Sequence, residues 1–259
     1  MRFFQDFKKY LDYTKFSAKS ALNAEVAGSY LNWLWWVFNP LCMMLIYTFI
    51  FSFLFDGGMD YAPIYIFVGL TVWDFFNRTV TDAILIVKRN KSIVTKVYMP
   101  KFVLVETTML VNFVKMLIAF AIIVIMMFIL RVPVNLNVLW TIPILLIMFL
   151  FTFGISCILL HFGVFVEDLK NVVKILLRFV FYATGIFYSI EKRFPAPFNE
   201  WMLKCNPMAY FMDGIRQALL YKSHPDLKWL LIWFLVSLGL CALGIYRIYK
   251  YENSYAKAI

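Results

Sequence analysis

Charged and polar side chains with helical spacing lie inside an otherwise apolar stretch of the chain. Five of these residues are spaced at i, i+3, i+4, i+7 and i+8, namely Asp74, Asn77, Arg78, Thr81 and Asp82. This spacing places them on one face of an α-helix, with a carboxylate about one turn from Arg78 in each direction. Two interpretations stay open, because charge inside a membrane faces protein or water. The face is a structural ion-pair ladder, or it is the hydrophilic wall of a transport path.

A second charge lies in the next apolar segment. Lys115 follows Asn112 by about one helical turn and lies well inside that segment. A buried ammonium group needs an acidic partner. We expect Asp74 or Asp82 to supply it if the two segments pack together as helices.

No catalytic constellation accompanies these charges. His161 and His224 are the only histidines, and neither has metal-ligand neighbours in the sequence. The four cysteines show no CxxC spacing and are predicted to pack as small apolar residues: Cys42, Cys157, Cys205 and Cys241. A GxxxxGK[ST] phosphate loop is absent from the sequence, so we expect a chain that is not an enzyme and holds neither metal nor cofactor.

The composition indicates an all-α integral membrane protein. The chain has 259 residues, of which 63% are hydrophobic and 15% charged, whereas soluble proteins average ~45–50% apolar and ~25% charged residues. Its net charge of +10 comes from basic residues at the ends of hydrophobic segments. That placement indicates membrane orientation and argues against a nucleic-acid partner.

The apolar segments predict a single transmembrane domain over residues 1–259. Residues 1–28 contain an amphipathic interface helix with a basic polar face. Six transmembrane helices are predicted at 31–55, 62–87, 102–130, 138–162, 171–190 and 228–248. Lysine and arginine concentrate before the first helix, in the loop at 88–101, after Asp168 and at the C-terminus. The positive-inside rule therefore places both termini in the cytoplasm.

Residues 195–222, between the last two predicted helices, are too apolar for an ordinary loop and too interrupted for a membrane span. Pro207 divides this segment, so we predict two short helices that form a re-entrant hairpin on the outer side. Asn206 is predicted to cap the second helix, with Pro207 at its first position. We expect Met208 and Phe211 to contribute to an exit gate.

Aromatic residues make up 20% of the chain. Most must face lipid or form interfacial belts. Tyr182, Phe187 and Tyr188 lead directly into the hairpin, and some of them could instead line a conduit in which rings slide along sugars. We assign Tyr30 and Trp33, at the start of the first predicted helix, to the same substrate path.

Six segments match the motifs of a known family in the same order. They are SYLNWLWWVFNPL at 29–41, YTFIF at 47–51, GLTVWDFF at 69–76, SIVTKVYMPK at 92–101, FVEDL at 165–169 and NPMA at 206–209. The chain thus resembles the permease subunit of ABC-2 type exporters of cell-surface polysaccharides, which include O-antigen, capsule and teichoic-acid transporters. It departs from the family at Asn32, where glycine is usual, and at Glu167, where arginine is usual.

The resemblance implies a homodimer of six-helix subunits that works with two copies of a separate ABC ATPase. That partner would bind ATP and Mg²⁺, and the substrate would be a lipid-linked glycan in a bacterial or archaeal cytoplasmic membrane. The expected ATPase-coupling residues are Lys91, Ser92, Ile93, Lys96, Val97, Tyr98, Glu167 and Asp168. Val94 would complete an apolar docking face with Ile93, Val97 and Tyr98. Alternatively, 88–101 is only a loop that sets topology.

Two other functions remain open at this point. An ABC-2 exporter of drugs or small lipids would share the same architecture. A membrane enzyme acting on polyprenyl-linked sugars would need acidic or metal-binding residues at a membrane face. The isolated pair Glu167 and Asp168 is too little for such an enzyme.

Overall fold

The computed structural model describes residues 2–28, 30–54, 61–166 and 168–258, and within these ranges every regular element is helical. The helices are α1 (Arg2–Val26), α2 (Trp35–Thr48), α3 (Ala62–Arg89), α4 (Lys91–Val94), α5 (Phe102–Ile129), α6 (Thr141–Phe165), α7 (Leu169–Ala183), α8 (Ile190–Arg193), α9 (Phe198–Cys205), α10 (Pro207–Leu219), α11 (Leu227–Lys250) and α12 (Glu252–Ala258). The prediction of an all-α chain is confirmed for this part of the protein.

Long apolar stretches set the main helices. Three stretches of the described chain are long and apolar enough to cross a membrane, namely Phe102–Ile129, Leu136–Phe165 and Leu227–Lys250. Each agrees with a predicted span to within a few residues. The first predicted span corresponds to α2 and a π-helical continuation, Phe49–Leu54. Helix α3 agrees with the second predicted span and carries the polar face.

The fifth predicted span, 171–190, is longer than the helix that forms there. Helix α7 ends at Ala183, and Gly185 adopts a left-handed backbone with φ +70°. Glycine reaches that conformation without the steric cost of a Cβ atom, so the chain turns here. Tyr188 consequently lies in the turn between α7 and α8, and not on a membrane helix.

Helices α6 and α11 pack against each other through small residues. A Cβ atom at Gly154 would lie 2.7 Å from the backbone nitrogen of Cys241, and one at Gly244 would lie 2.7 Å from the Cβ of Cys157. Small residues let helix backbones approach closely where no hydrophobic effect drives association. The two helices are therefore in close backbone contact at both glycines.

The cysteines divide into two groups. Cys157 and Cys241 are buried at the α6–α11 contact, and the Cys241 thiol donates a hydrogen bond to the Leu150 carbonyl at 3.0 Å. Cys42 and Cys205 are exposed free thiols. The predicted packing role is therefore confirmed for the first two and wrong for the other two.

Helix α1 runs along α5. The Phe3 and Phe102 ring centroids are 4.9 Å apart near the beginning of both helices, and Thr14 and Ala18 are buried in the middle of α1. Near its end, Glu25 reaches Lys115 of α5. These contacts fix α1 against the helical bundle over most of its length.

Candidate functional site

The polar face of α3 is present, but its charges do not form one continuous ladder. The Arg78 guanidinium lies 3.7 Å from the Asp74 carboxylate, with both side chains about half exposed. Asp82 instead accepts a hydrogen bond of 2.9 Å from Arg89, which lies seven residues later at the end of α3. The structure therefore does not form a continuous ladder through Arg78, which was one of the two interpretations, because the exposed Arg89 reaches back over the last two turns to Asp82.

Lys115 has a partner, although a different one from the two expected. Its ammonium group forms a salt bridge of 2.6 Å with Glu25 of α1, so the prediction of Asp74 or Asp82 is wrong. The physical reason is that α1 lies along α5 and brings its own carboxylate to this depth. Beside this pair, Asn112 donates a 3.1 Å hydrogen bond to the Thr79 hydroxyl and links α5 to α3.

Two adjoining cavities open along the polar face of α3. The first, of about 470 Å³, lies among α1, α2, α3 and α5, and we call it the α1–α5 cavity. Its polar lining is Glu25, Asn39, Thr71, Asp74, Arg78, Asn112 and Lys115. The second, of about 340 Å³, lies among α2, α3 and α7, and we call it the α7 groove; its polar lining is Asn39, Asp74, Asn77, Arg78, Lys174 and Arg178. Asn39, Asp74 and Arg78 belong to both.

The two cavities carry different charge. In the α1–α5 cavity two acidic residues balance two basic ones, and Lys115 is held by Glu25. In the α7 groove, Asp74 is the only acidic residue among the described residues of the lining, against three basic ones. Aromatic residues complete the walls, including Trp35 of the first cavity and Trp73 of the second. Sequence reasoning had used Lys174 and Arg178 only to orient the chain.

The aromatic residues assigned to the path divide by exposure. Tyr30 is fully exposed, Trp33 is 59% exposed and Tyr182 is 62% exposed. Phe187 is buried, and its ring stacks on Phe51 with centroids 4.3 Å apart. In this conformation Phe187 therefore packs α2 against the turn after α7, whereas the other three rings remain accessible to a partner or substrate.

Tyr188 fastens the turn that follows α7. Its hydroxyl donates a 2.8 Å hydrogen bond to the Tyr182 carbonyl, and its own carbonyl accepts one of 3.3 Å from the Tyr65 hydroxyl. Carbonyls freed by the end of a helix need such donors. The half-buried Tyr188 ring is thus held in a structural turn.

Met208 and Phe211, the expected gate residues of the hairpin, are core residues. Their exposed fractions are 1% and 0%, and the Phe211 ring lies edge-on to Phe151 of α6 at 5.9 Å. The prediction that these two side chains line an opening is wrong. The amphipathic α10 turns its apolar face toward α6 and α11, because that face alone can fill the space beside them.

The helix cap predicted at Asn206 is confirmed. Its side-chain oxygen accepts hydrogen bonds from the backbone nitrogens of Met208 at 3.1 Å and Ala209 at 3.4 Å, and Pro207 occupies the first helical position. The amide nitrogen of Asn206 also donates to the Thr184 hydroxyl at 3.4 Å. One side chain thus starts α10 and joins it to the end of α7.

Replacing Asn206 by alanine is expected to lower the free energy of unfolding by about 1 kcal/mol, the usual loss for an N-cap. Asn206→Asp should retain most of the stability, because a carboxylate accepts the same two hydrogen bonds. Thermal unfolding of the purified chain in detergent measures both. Equal stability of Asn206→Ala and the unsubstituted chain would contradict a capping role.

Arg216 of α10 is a buried residue beside the candidate site whose role sequence reasoning missed. It is 2% exposed, and its guanidinium donates hydrogen bonds to the carbonyls of Tyr65 at 3.1 Å, Gly185 at 2.9 Å and Ile186 at 3.1 Å. It also lies 3.5 Å from the centroid of the Tyr65 ring. The signal was available, since an arginine between Ile215 and Ala218 on an apolar helix face needs buried acceptors.

Gly69 of α3 makes room for Arg216. A Cβ atom at Gly69 would lie 2.5 Å from the Nη2 atom of Arg216 and 3.3 Å from the Ile186 side chain. A guanidinium can approach the helix this closely only because no side chain is present there. Arg216 consequently joins the hairpin, the turn after α7 and the middle of α3.

The segment expected to contact the ATPase lies on the surface between α3 and α5. Val97 is 54% and Tyr98 61% exposed, Ile93 is half-buried, and Val94 is buried in a core cluster. Val94 is therefore wrongly placed in the predicted docking face. Lys91, Ser92, Lys96 and Asp168 are exposed as well, whereas Glu167 lies outside the described residues.

Tyr98 connects this segment to both ends of the chain. Its hydroxyl donates a 3.1 Å hydrogen bond to Glu252 of α12, which also pairs with Arg2 at 3.3 Å. Partial removal of the Tyr98 hydroxyl from water, followed by its hydrogen bond to Glu252, raises the pKa of Tyr98 above its ordinary value. Nearby, burial lowers the pKa of Lys101, whose ammonium donates to the Met99 carbonyl at 2.9 Å.

The two histidines make ordinary structural contacts. The Nδ1 atom of His161 lies 2.9 Å from the Tyr255 hydroxyl, and that of His224 lies 3.1 Å from the Pro225 carbonyl. Among the residues that the structure describes, no three His, Cys, Asp or Glu side chains gather in a group suited to a metal ion.

Comparison with known proteins assigns the family. Residues 19–220 match the family described as ABC-2 type transporter. An O-antigen export system permease protein RfbA from Klebsiella pneumoniae is 26% identical over 239 residues, which cover 92% of this chain and 91% of that protein. One from Myxococcus xanthus is 28% identical over 224 residues, covering 85% and 84%. The chain therefore belongs to the ABC-2 type transporter family.

Proposed function

We propose that this chain is the membrane-spanning permease subunit of an ATP-binding cassette exporter that moves a lipid-linked surface polysaccharide from the cytoplasmic to the outer side of the membrane. The observation that carries the proposal is similarity to O-antigen export permeases over 92% of the chain. The charged α7 groove and the exposed rings of Tyr30, Trp33 and Tyr182 support it, because such surfaces suit a polar polymer.

The proposed assembly is a homodimer of six-helix subunits above two copies of an ABC ATPase, which bind ATP and Mg²⁺. Both termini and the loop at 88–101 would lie in the cytoplasm, with the α9–α10 hairpin re-entering the membrane from the outer side. The basic charge of Lys88, Arg89, Lys91, Lys96 and Lys101 supports this orientation. Helix α1 would lie at the cytoplasmic interface, with its basic face toward lipid headgroups.

The test of the proposed function is deletion of the gene in its host, followed by measurement of surface polysaccharide. We expect the polymer to disappear from the cell surface and its lipid-linked form to accumulate inside the cell. A strain that keeps the permease but carries an inactive partner ATPase should show the same phenotype. Surface polymer at normal levels, with altered export of drugs or small lipids, would overturn the assignment in favour of the other ABC-2 substrate class.

We propose that the exposed part of the 88–101 segment contacts the ATPase, together with Asp168. Val97→Asp is expected to lower the amount of ATPase that co-purifies with the permease by about tenfold, which corresponds to ~1.4 kcal/mol of binding. The physical reason is that a carboxylate at the contact cannot be buried without a partner. Quantitative immunoblotting of the purified complex measures the effect.

Val134→Asp provides the matched control. Val134 is 62% exposed in the loop after α5, on the opposite side of the bundle from Val97 in the proposed topology. Its substitution should leave co-purification unchanged, and both variants should keep the melting temperature of the unsubstituted permease. An equal yield of ATPase with Val97→Asp and with Val134→Asp would remove Val97 from the contact.

A further inference from the structure

The α7 groove is lined by two cations that belong to α7 itself. Lys174 and Arg178 are spaced by one helical turn on α7, both are exposed, and both line the groove. Within the part of the chain that the structure describes, neither side chain has a hydrogen bond or an ion pair. Cations on a helix that is otherwise strongly apolar are costly unless an anion or water accompanies them.

Arg78 adds a third cation on the facing helix. It lies 3.7 Å from Asp74, which is longer than an ordinary hydrogen bond, so most of its donors remain open to another acceptor. The amide of Asn77 lies beside it in the same lining. The groove therefore presents two guanidinium groups and one ammonium group against a single carboxylate.

The cations of α3 and α7 lie at similar depth. Arg178 lies nine residues after the start of α7, or about 13 Å along the helix at 1.5 Å per residue. Arg78 lies eleven residues before the end of α3, or about 16 Å along that helix. Both of those helix ends face the cytoplasm in the proposed topology. The three charges thus form one basic patch inside the cytoplasmic half of the bundle.

We propose that the α7 groove binds the phosphate group that joins the exported glycan to its lipid. This inference rests on the proposed function and adds the chemistry of the substrate's linkage. Arginine binds two oxygens of one phosphate at once, and lysine adds a compact charge. A diphosphate would bring two negative charges to a groove whose lining has an excess of two positive charges.

The groove also has aromatic surfaces for the lipid chain and the sugar that lie on either side of the phosphate. Tyr47, Trp73 and Phe181 line it from three different helices, and aromatic rings pack well against both lipid chains and sugar rings. The neighbouring α1–α5 cavity is a poor anion site by comparison. Its Lys115 is already held by Glu25 at 2.6 Å, and its acidic and basic residues are equal in number.

The experiment measures binding of farnesyl diphosphate to the purified permease–ATPase complex, with farnesol as the probe that lacks phosphate. For the double variant Lys174→Gln/Arg178→Gln we expect the dissociation constant of farnesyl diphosphate to rise at least tenfold and that of farnesol to stay unchanged. The charge-conserving exchange Lys174→Arg/Arg178→Lys should restore binding to within about threefold. Unchanged affinity in the double glutamine variant would overturn the proposal.

Two controls separate this site from general effects. Lys228→Gln removes a positive charge from α11, outside the groove, and should leave binding unchanged; a loss as large as that of the double variant would overturn the site assignment. Phosphatidylglycerol vesicles test the other source of phosphate. Displacement of farnesyl diphosphate by phosphatidylglycerol at equal concentration would assign the groove to membrane lipid and overturn its role in substrate recognition.

A variant that assembles poorly does not weaken the test. Size-exclusion chromatography with the ATPase checks assembly, and the single variant Lys174→Gln, nearer the beginning of α7, replaces the double variant if assembly fails. It is expected to weaken binding at least threefold, and no change would again overturn the proposal. Failure of the proposed function would be seen separately, as normal surface polymer in the gene deletion.

Discussion

Replacing Arg216 by methionine is expected to lower the free energy of unfolding by about 3–5 kcal/mol, because three buried carbonyls lose their hydrogen-bond donor. Methionine fills much of the same space, but it leaves the carbonyls of Tyr65, Gly185 and Ile186 without their donor. A buried carbonyl without a partner costs about 1–3 kcal/mol. Thermal unfolding of the purified chain in detergent should show a melting temperature lower by roughly 10 °C.

Two further variants isolate the cause of this loss. Arg216→Lys keeps the charge but reaches fewer carbonyls, so we expect it to recover only part of the stability. Arg193→Met removes an exposed arginine of α8 and should change the melting temperature by less than a degree or two. Equal stabilities of Arg216→Met and Arg193→Met would show that the three carbonyls do not depend on Arg216.

Arg216 also relates the hairpin to the groove. It holds α10 to the turn that ends α7, while its approach to Gly69 fixes it against the helix that carries Arg78. The same α7 carries Arg178. A movement of the hairpin therefore cannot occur without shifting the end of α7 or breaking these hydrogen bonds. Arg216 therefore links the hairpin physically to the helix that carries Lys174 and Arg178 of the groove.

The main helices could be predicted because long apolar runs and their breaks specify them locally. Helices α3, α5 and α11 begin and end within two residues of the predicted spans, and Asn206 caps α10 because Asn followed by proline favours that geometry in isolation. The end of α7 at Ala183 was missed. The sequence there remains mostly apolar to Ile190, and Gly185, whose left-handed backbone turns the chain, was the one local signal that the helix stops.

The candidate site was less predictable, because it depends on which elements meet. Lys115 pairs with Glu25, 90 positions earlier in the sequence, since α1 lies along α5. Periodicity identified the polar face of α3 but could not show that Lys174 and Arg178 oppose it. Met208 and Phe211 were misassigned for the same reason: an apolar helix face looks alike whether it lines an opening or a core.

The contact between α6 and α11 provides the second large stability prediction. Gly154→Ala would place a methyl group 2.7 Å from the backbone nitrogen of Cys241 and 2.8 Å from the carbonyl carbon of Leu240. Backbone atoms cannot move aside as a flexible side chain can, so the two helices must separate. Overpacking of this kind costs about 1–3 kcal/mol even in cores that adjust, and we expect a loss at the upper end of that range.

Gly239→Ala on α11 is the matched control, because the space around its Cβ position is empty within 4 Å. The intrinsic preference of helices for alanine over glycine should make this variant equal to the unsubstituted chain or up to about 1 kcal/mol more stable. If Gly154→Ala lowers the melting temperature and Gly239→Ala does not, the difference measures the close approach of α6 and α11 at Gly154 alone. If both glycines tolerate alanine equally, α6 and α11 do not meet through Gly154, and the small residues on the two helices need another explanation.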